Sequence, residues 1–422
     1  MQDIRWYRLD NAATIVPSSV HGSDTRVFRI VCELNEEVDG NILQEALDLT
    51  VEEYPHFNVM LRKGFFWYYL DSIRARAIVK EERKPACAPL YFSGRRKLLY
   101  RVNYYKNRIN LEMFHVLADG TGAFSFLKAI VTNYLSLAHG VEVKEEGLDA
   151  SSTTEKNEDA FRQFYSKEKS REQLKGMLGT KAYQIEQPLD ENLHSRLIEG
   201  VISAKEFIAL SHEYHTTAGI LTVALFVEAI LNVMSIQEQR KPIVVSVPVN
   251  LRQYFPSETT RNFFGVINVT FWPKDYDGTI ESILKVVKES FESQLTKDKI
   301  QNTMNGYSGL THNIALKVVP LFVKEPAVHM ITRIAQKGTT GTISNLGKIT
   351  MPKELEPYIH QFSAFMATPN AQVCVSTFQD RMVFGAVSAF EDHRVFLNFF
   401  RGLSKRGLHV EISSNDYNKE EK

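Results

Sequence analysis

The stretch Phe114-His115-Val116-Leu117-Ala118-Asp119-Gly120 decides how the rest of the chain is read. Before it, residues 98–105 and 109–114 flank Lys106-Asn107-Arg108, a β-hairpin pattern. After it, Phe124, Phe126, Leu127, Ile130, Val131, Tyr134 and Leu135 recur at helical spacing. A strand therefore ends at a histidine, and a helix begins after Asp119-Gly120-Thr121-Gly122. A carboxylate at Asp119 is favoured by the orphan amides and dipole of a helix N-terminus. Gly120 lets the backbone turn where a side chain would clash. A neutral imidazole with a pKa of about 6.5 is a competent general base for a hydroxyl, amine or thiol. The same residues also fit a plain junction, with His115 a satisfied polar residue and Asp119 only a cap.

Working outward, residues 26–34 alternate, with Phe28, Ile30, Cys32 and Leu34 on one face of a half-buried strand. Asp39 caps a helix that closes at Tyr54-Pro55. Residues 59–61 and 65–70 read as short strands around Lys63-Gly64, and Phe65 to Tyr69 as aromatic strand packing. Residues 196–202 read as a strand, 204–214 and 217–233 as helices, and 243–249 as a central strand. Residues 264–271 form another strand and 280–295 an amphipathic helix. Residues 310–335 read as a helix interrupted at Pro320 and Pro326, whose apolar side lines a tunnel, touches a membrane or simply packs in the core. A hairpin over 372–379 and 382–387 turns at Asp380-Arg381, before a helix over 390–405 and a last strand over 408–412. The two halves share a plan of strand, helix and paired strands. Between them, seven acidic residues and two lysines (142–159) precede six basic and two acidic residues (162–181), which reads as a solvated crossover. The expected division is a first lobe over 1–140, a linker over 141–190 and a second lobe over 191–422.

Composition narrows the function. Fifty basic residues balance fifty acidic ones, which argues against a nucleic-acid partner. An apolar content of 44% excludes a disordered chain. Cys32, Cys87 and Cys374 are too few and too scattered for a disulfide framework or a zinc ribbon, so a cytoplasmic location is expected. His212 and His215 lack a nearby third ligand, so they read as a helix end and no metal is expected. The N-terminus shows no signal-peptide pattern, and no apolar run reaches the roughly 20 residues of a bilayer span. Peripheral membrane contact stays open. Gly338 to Thr342 lacks dinucleotide spacing, and there is no Walker loop.

His115-x-x-x-Asp119-Gly120 resembles the HxxxDG core of the chloramphenicol-acetyltransferase-like superfamily, which includes condensation domains, plant BAHD acyltransferases, wax ester synthases and alcohol acetyltransferases. Three more blocks follow the family order. Tyr54-Pro55-His56-Phe57 with Leu61-Arg62 is similar to the early "HP-x-LR" strand. Pro248-Val249-Asn250-Leu251-Arg252, then Asn262 to Gly265 and Asn268, is similar to the "P-V-N-x-R…G-N-x-x-N" block. Ser344-Asn345-Leu346-Gly347 resembles the S-N-x-G strand of bacterial alcohol acetyltransferase-like members, although it also fits a turn ending a strand. The resemblance covers essentially the whole chain. Where many relatives carry two adjacent histidines, this chain has Phe114 first, which makes a peptide-bond-forming role less expected.

The resemblance implies an α/β fold of two chloramphenicol-acetyltransferase-like lobes, each a mixed sheet with flanking helices, with a tunnel between them. It implies an acyl-CoA co-substrate, no permanently bound cofactor and a small alcohol or amine acceptor, most simply in a monomer. His115 is the implied base of a direct acetyl or longer acyl transfer. Asp119 is implied to pair with an arginine, Arg252 first and Arg62 second. Ser344 or Asn345 is the implied oxyanion donor, with Gly347 and Asn268 at the tunnel. The alternative is a non-catalytic relative that binds a lipid, carrier or protein.

Overall fold

The computed structural model describes residues 6–143 except 21 and 23, 152–165, 181–185, 196–312, and 318–415 except 369, 389 and 391; for 306–312 it describes only the backbone. The first half contributes β1 (Trp6–Arg8), β2 (Val27–Leu34), β3 (Val59–Lys63), β4 (Tyr68–Ser72), β5 (Lys80–Glu81), β6 (Tyr100–Tyr105) and β7 (Arg108–Phe114). The second contributes β8 (Arg196–Ser203), β9 (Ile243–Asn250), β10 (Phe264–Phe271), β11 (Gly341–Lys348), β12 (Ile359–Met366), β13 (Ala371–Phe378), β14 (Arg381–Ser388) and β15 (Glu411–Ser414).

A five-stranded mixed sheet runs β12-β2-β7-β6-β5, and a seven-stranded mixed sheet runs β10-β9-β11-β13-β14-β8-β15. A small three-stranded sheet, β1-β4-β3, sits beside the first. The helices Gly40–Glu53 and Gly120–His139 pack on each other over the five-stranded sheet. Asp39 caps the earlier one by accepting from the amides of Asn41 and Ile42. The apolar helix Ala218–Leu231 lies under the seven-stranded sheet between Arg394–Lys405 and Ile280–Gln294. Each sheet therefore has its own apolar core, the arrangement of an α/β protein with two lobes.

The lobes are interleaved. After β11 in the second sheet the chain crosses to the first, forms β12 antiparallel to β2, and returns as β13. This strand lies within the stretch expected to form the second lobe; both its faces are buried, so no polar–apolar alternation marks it in the sequence. Burial on both faces also corrects the reading of residues 26–34 as half-buried. Phe28, Ile30, Cys32 and Leu34 face the first core, while Val31 packs on Phe365 and Val387 between the lobes. On that same side Arg29 pairs with Glu112 and Glu82, and Arg108 bridges Glu33 to Glu199 of β8.

Other differences are local. β9 is second from the edge rather than central, because β10 covers its outer side; an apolar run reports burial, not rank in the sheet. Pro326 lies within the helix Leu321–Gln336, and Pro320 precedes it. A further helix, Lys297–His312, was not anticipated. Much of the charged crossover lies outside the described residues. Its described part is not simply solvated: Ala160 and Phe161 are buried with Leu251, Phe255 and Phe263. Among the described residues no single helix is long and apolar enough to cross a membrane.

Candidate active site

β7 delivers His115. Its last residue, Phe114, is buried and stacked on Tyr91 at 5.6 Å. The His115 amide still donates to Arg26 O at 2.9 Å, extending the pairing one residue beyond the strand. The chain then turns into the helix Gly120–His139, capped by Asp119 Oδ1, which accepts from Gly122 N at 3.0 Å.

The imidazole of His115 lies between the lobes, 5.1 Å from Phe28 of the first and 5.8 Å from Phe264 of the second, centroid to centroid. Its Nδ1 is 2.9 Å from Asn262 Oδ1. The amide nitrogen of Asn262 donates to His115 O and to Asp10 Oδ2, each at 3.1 Å. Those two contacts orient the amide, so Oδ1 is left as an acceptor and His115 Nδ1 must carry the proton. Nε2 then holds a free lone pair, the form a general base needs. Burial depresses the imidazole pKa below its ordinary value, and Arg26 adds to this; its own carbonyl, Asp119 and Asn262 oppose it. The ring is thus held neutral at neutral pH.

Asp10 is fully buried. Its Oδ1 accepts from Ala13 N at 2.7 Å, and Arg261 Nε lies 3.8 Å from Oδ2. Burial pushes its carboxyl up to about 6, against the pull of Arg261.

A second chain of contacts braces the loop that carries Asn262. Asp119 Oδ2 pairs with Arg252 Nη1 at 2.8 Å and accepts from Phe263 N at 2.8 Å. Arg252 also donates to Thr259 O and Arg261 O, at 2.8 and 2.7 Å. One guanidinium therefore ties the helix start to residues 259–263. The backbone of Thr260 lies so close to Gly122 that a Cβ there would stand 1.8 Å from Thr260 O. Thr260 Oγ1 meets buried His56 Nε2 at 2.8 Å. Burial, with Arg261 and Lys156 nearby, holds His56 down to about 3, so it is neutral. Arg62 pairs instead with Asp71.

The other anticipated residues are placed as follows. Leu346 packs against Gly120, where a Cβ would stand 2.5 Å from Leu346 Cδ2. The Ser344 to Gly347 segment is therefore brought to the helix start. Ser344 is half-buried in β11, opposite Cys374. Asn345 Oδ1 is occupied by its own turn, accepting from Gly347 N at 2.9 Å. Asn268 lies on the same face of β10 as Phe264 but about 13 Å further along, at about 3.3 Å per residue. It accepts from Ser246 Oγ at 2.7 Å and does not meet His115. The sequence offers Asn262 only as part of the Asn262 to Gly265 block, and Asp10 not at all; a lone aspartate in an N-terminal segment carries no pattern. His212 and His215 end a helix in an exposed turn, and no group of side chains able to hold a metal occurs among the described residues.

No protein-family profile matches the chain, and no curated protein matches it by sequence. Solved structures do. TRI3 trichothecene 15-O-acetyltransferase from Fusarium sporotrichioides superposes with a TM-score of 0.63 at 10% identity, over 95% of this chain and 94% of that one. F. graminearum TRI101, solved with coenzyme A and T-2 mycotoxin, gives 0.62 at 11% identity over 97% and 99%. The first condensation domain of the calcium-dependent antibiotic synthetase, with a substrate analogue, gives 0.62 at 12% over 95% and 96%. The chain has the two-lobed chloramphenicol-acetyltransferase-like fold that these acetyltransferases and condensation domains share.

Proposed function

We propose that the protein is an acyltransferase that moves an acyl group from a CoA thioester to an alcohol, as a cytoplasmic monomer with no resident metal. The observation that carries this is His115 at the lobe junction, with Nδ1 bound to Asn262 and Nε2 free. The acceptor hydroxyl gives its proton to Nε2 as its oxygen attacks the thioester carbon. The tetrahedral oxyanion then collapses, the C–S bond breaks, and the CoA thiolate takes the proton from His115. Ser344 Oγ or Asn345 Nδ2 is the oxyanion donor; Asn345 Oδ1 is engaged in its own turn, which leaves the Nδ2 hydrogens to donate. Phe28 and Phe264 keep water from the thioester, and the face of β10 that carries Phe264, Val266 and Asn268 is the one we assign to a wall of the tunnel.

Asp119 and Arg252 act as braces. A covalent acyl-enzyme on Cys374 is disfavoured, because burial pushes that thiol up to about 12. A screen of acyl-CoAs against alcohols and amines tests the reading. Transfer with intersecting double-reciprocal plots is expected, and His115→Ala lowers turnover about 10² to 10⁴-fold in a folded protein. Parallel plots with a burst of thiol, or unchanged turnover in the folded variant, overturn it.

A further inference from the structure

A surface helix normally turns its apolar stripe inward. The helix Leu321–Gln336 does the reverse. Of its residues only Leu321 is buried. Its inward side makes polar contacts: Glu325 with Lys63 and Tyr68, His329 with Ser18 O, and Gln336 with Asp24. Its outward side carries Phe322, Val323, Met330, Ile331 and Ile334, with Phe322 64% and Met330 60% exposed. Spaced at i, i+1, i+8, i+9 and i+12, these occupy one half of the helix circumference.

The apolar face continues onto the turn between β3 and β4. Phe65, 66% exposed, meets Phe322 at 6.5 Å, and Leu321 N donates to Phe65 O at 2.7 Å. Phe66 is exposed beside it, and Lys324 covers Trp67. Phe65 and Phe66 also line a cleft of about 820 Å³ with exposed Trp6. Asn11, next to Asp10, is on the cleft wall.

We propose that this face docks on the surface of an anionic lipid bilayer. Three observations favour a bilayer. The patch is a helix side joined to an aromatic turn, the composition of an interfacial element. Basic residues attend it (Lys324, Arg333 and Lys337), whereas Glu325 is turned inward onto Lys63, so the charge suits anionic headgroups. The aromatic turn walls the cleft on one side and Arg8, Asp71, Asp159 and Arg162 line it elsewhere, which suits a molecule with an apolar tail and a polar head taken from the bilayer. That last point rests on the acyltransfer reading and names the acceptor class as a long-chain alcohol resident in the membrane; the docking itself does not depend on it.

The test is sedimentation of the full chain with vesicles of phosphatidylcholine and phosphatidylglycerol at 7:3, beside the double variant Phe322→Ser, Ile331→Ser. Both positions are exposed, and an unchanged melting temperature checks the variant's fold. The wild type is expected to pellet, and the variant to bind at least about tenfold more weakly, since two apolar side chains no longer enter the interface. A wild type that stays in the supernatant, or a variant that pellets equally, overturns the proposal. So does a wild-type dimer that the variant converts to monomer, because a second copy would then be the occupant. Transfer to vesicle-borne hexadecanol and to soluble butanol separates the two readings. No transfer to either, with vesicle binding intact, would sink the acyltransfer reading and leave the docking standing. Transfer to butanol without vesicle binding would do the opposite.

Discussion

Replacing Asp10 by asparagine tests the orientation of His115, the proposed base, through a residue that does not touch it. Asp10 Oδ1 accepts from Ala13 N, a backbone donor that cannot be reversed, and Oδ2 accepts from the Asn262 amide. In Asp10→Asn the side-chain oxygen must stay on Ala13, so the new NH₂ faces the NH₂ of Asn262. That donor–donor contact costs about 1–3 kcal/mol in a buried site. Flipping Asn262 relieves it but sets Asn262 Oδ1 against His115 O and presents NH₂ to His115 Nδ1, moving the imidazole proton to Nε2, the wrong atom for a base. Each arrangement keeps one mismatched contact, so both tautomers are populated and kcat/KM falls roughly 2- to 10-fold.

Stability behaves differently. Burial raises the Asp10 carboxyl from 3.8 to about 6, so its ionised form costs the fold about 3 kcal/mol at neutral pH at about 1.36 kcal/mol per unit. The sign is that of a raised carboxyl: the cost is fully present above about pH 6 and fades as pH falls toward 3.8. The variant sheds this cost and gains the mismatch, so the net change is within about 2 kcal/mol and the melting temperature moves only a few degrees. Steady-state thiol release gives the activity, ¹⁵N shifts of His115 give the tautomer, and thermal melts between pH 4 and 7 give the linkage. A variant with wild-type kcat/KM and His115 still protonated at Nδ1 would refute the reasoning.

Arg252→Ala leaves the buried Asp119 carboxylate without its partner, so a loss of about 3–5 kcal/mol is expected in urea unfolding. Asp119→Asn should also destabilise, and the double variant should fall short of the sum of the two losses; full additivity would mean the residues do not couple. Gly122→Ala drives a methyl into the Thr260 carbonyl and should cost both activity and stability, whereas Gly140→Ala, at a helix C-terminus away from the site, should leave turnover unchanged. Because burial depresses the His115 pKa, the acid limb of kcat/KM should turn below about 6.5; a limb at or above that value would show that the base lies elsewhere.

Local pattern carries much of this protein. Alternation marks β2, β7 and the β13–β14 hairpin, Asp39 and Asp119 announce helix starts, and the junction at His115 stands out before any relative is considered. These features are legible because burial periodicity and capping act over a few residues. The resemblance suggests Arg252 for Asp119, and the two meet at 2.8 Å across 133 residues of chain.

Only the assembled structure decides the rest. Asn262 reaches His115 from 147 positions away, and Asp10 reaches Asn262 from 252. Neither has a periodic neighbour to betray it. β12 has no pattern that marks it in the sequence, and it lies in the half assigned to the second lobe, yet it joins the sheet of the first. The Phe65 to Tyr69 run suggests packing, yet Phe65 and Phe66 face outward beside a helix whose polar side is the one turned inward. Sequence alone sets which residues prefer to leave water and where helices start, because those preferences are local. Which buried surfaces meet, and so which nitrogen of His115 holds the proton, is set by contacts that exist only once both lobes have closed around it.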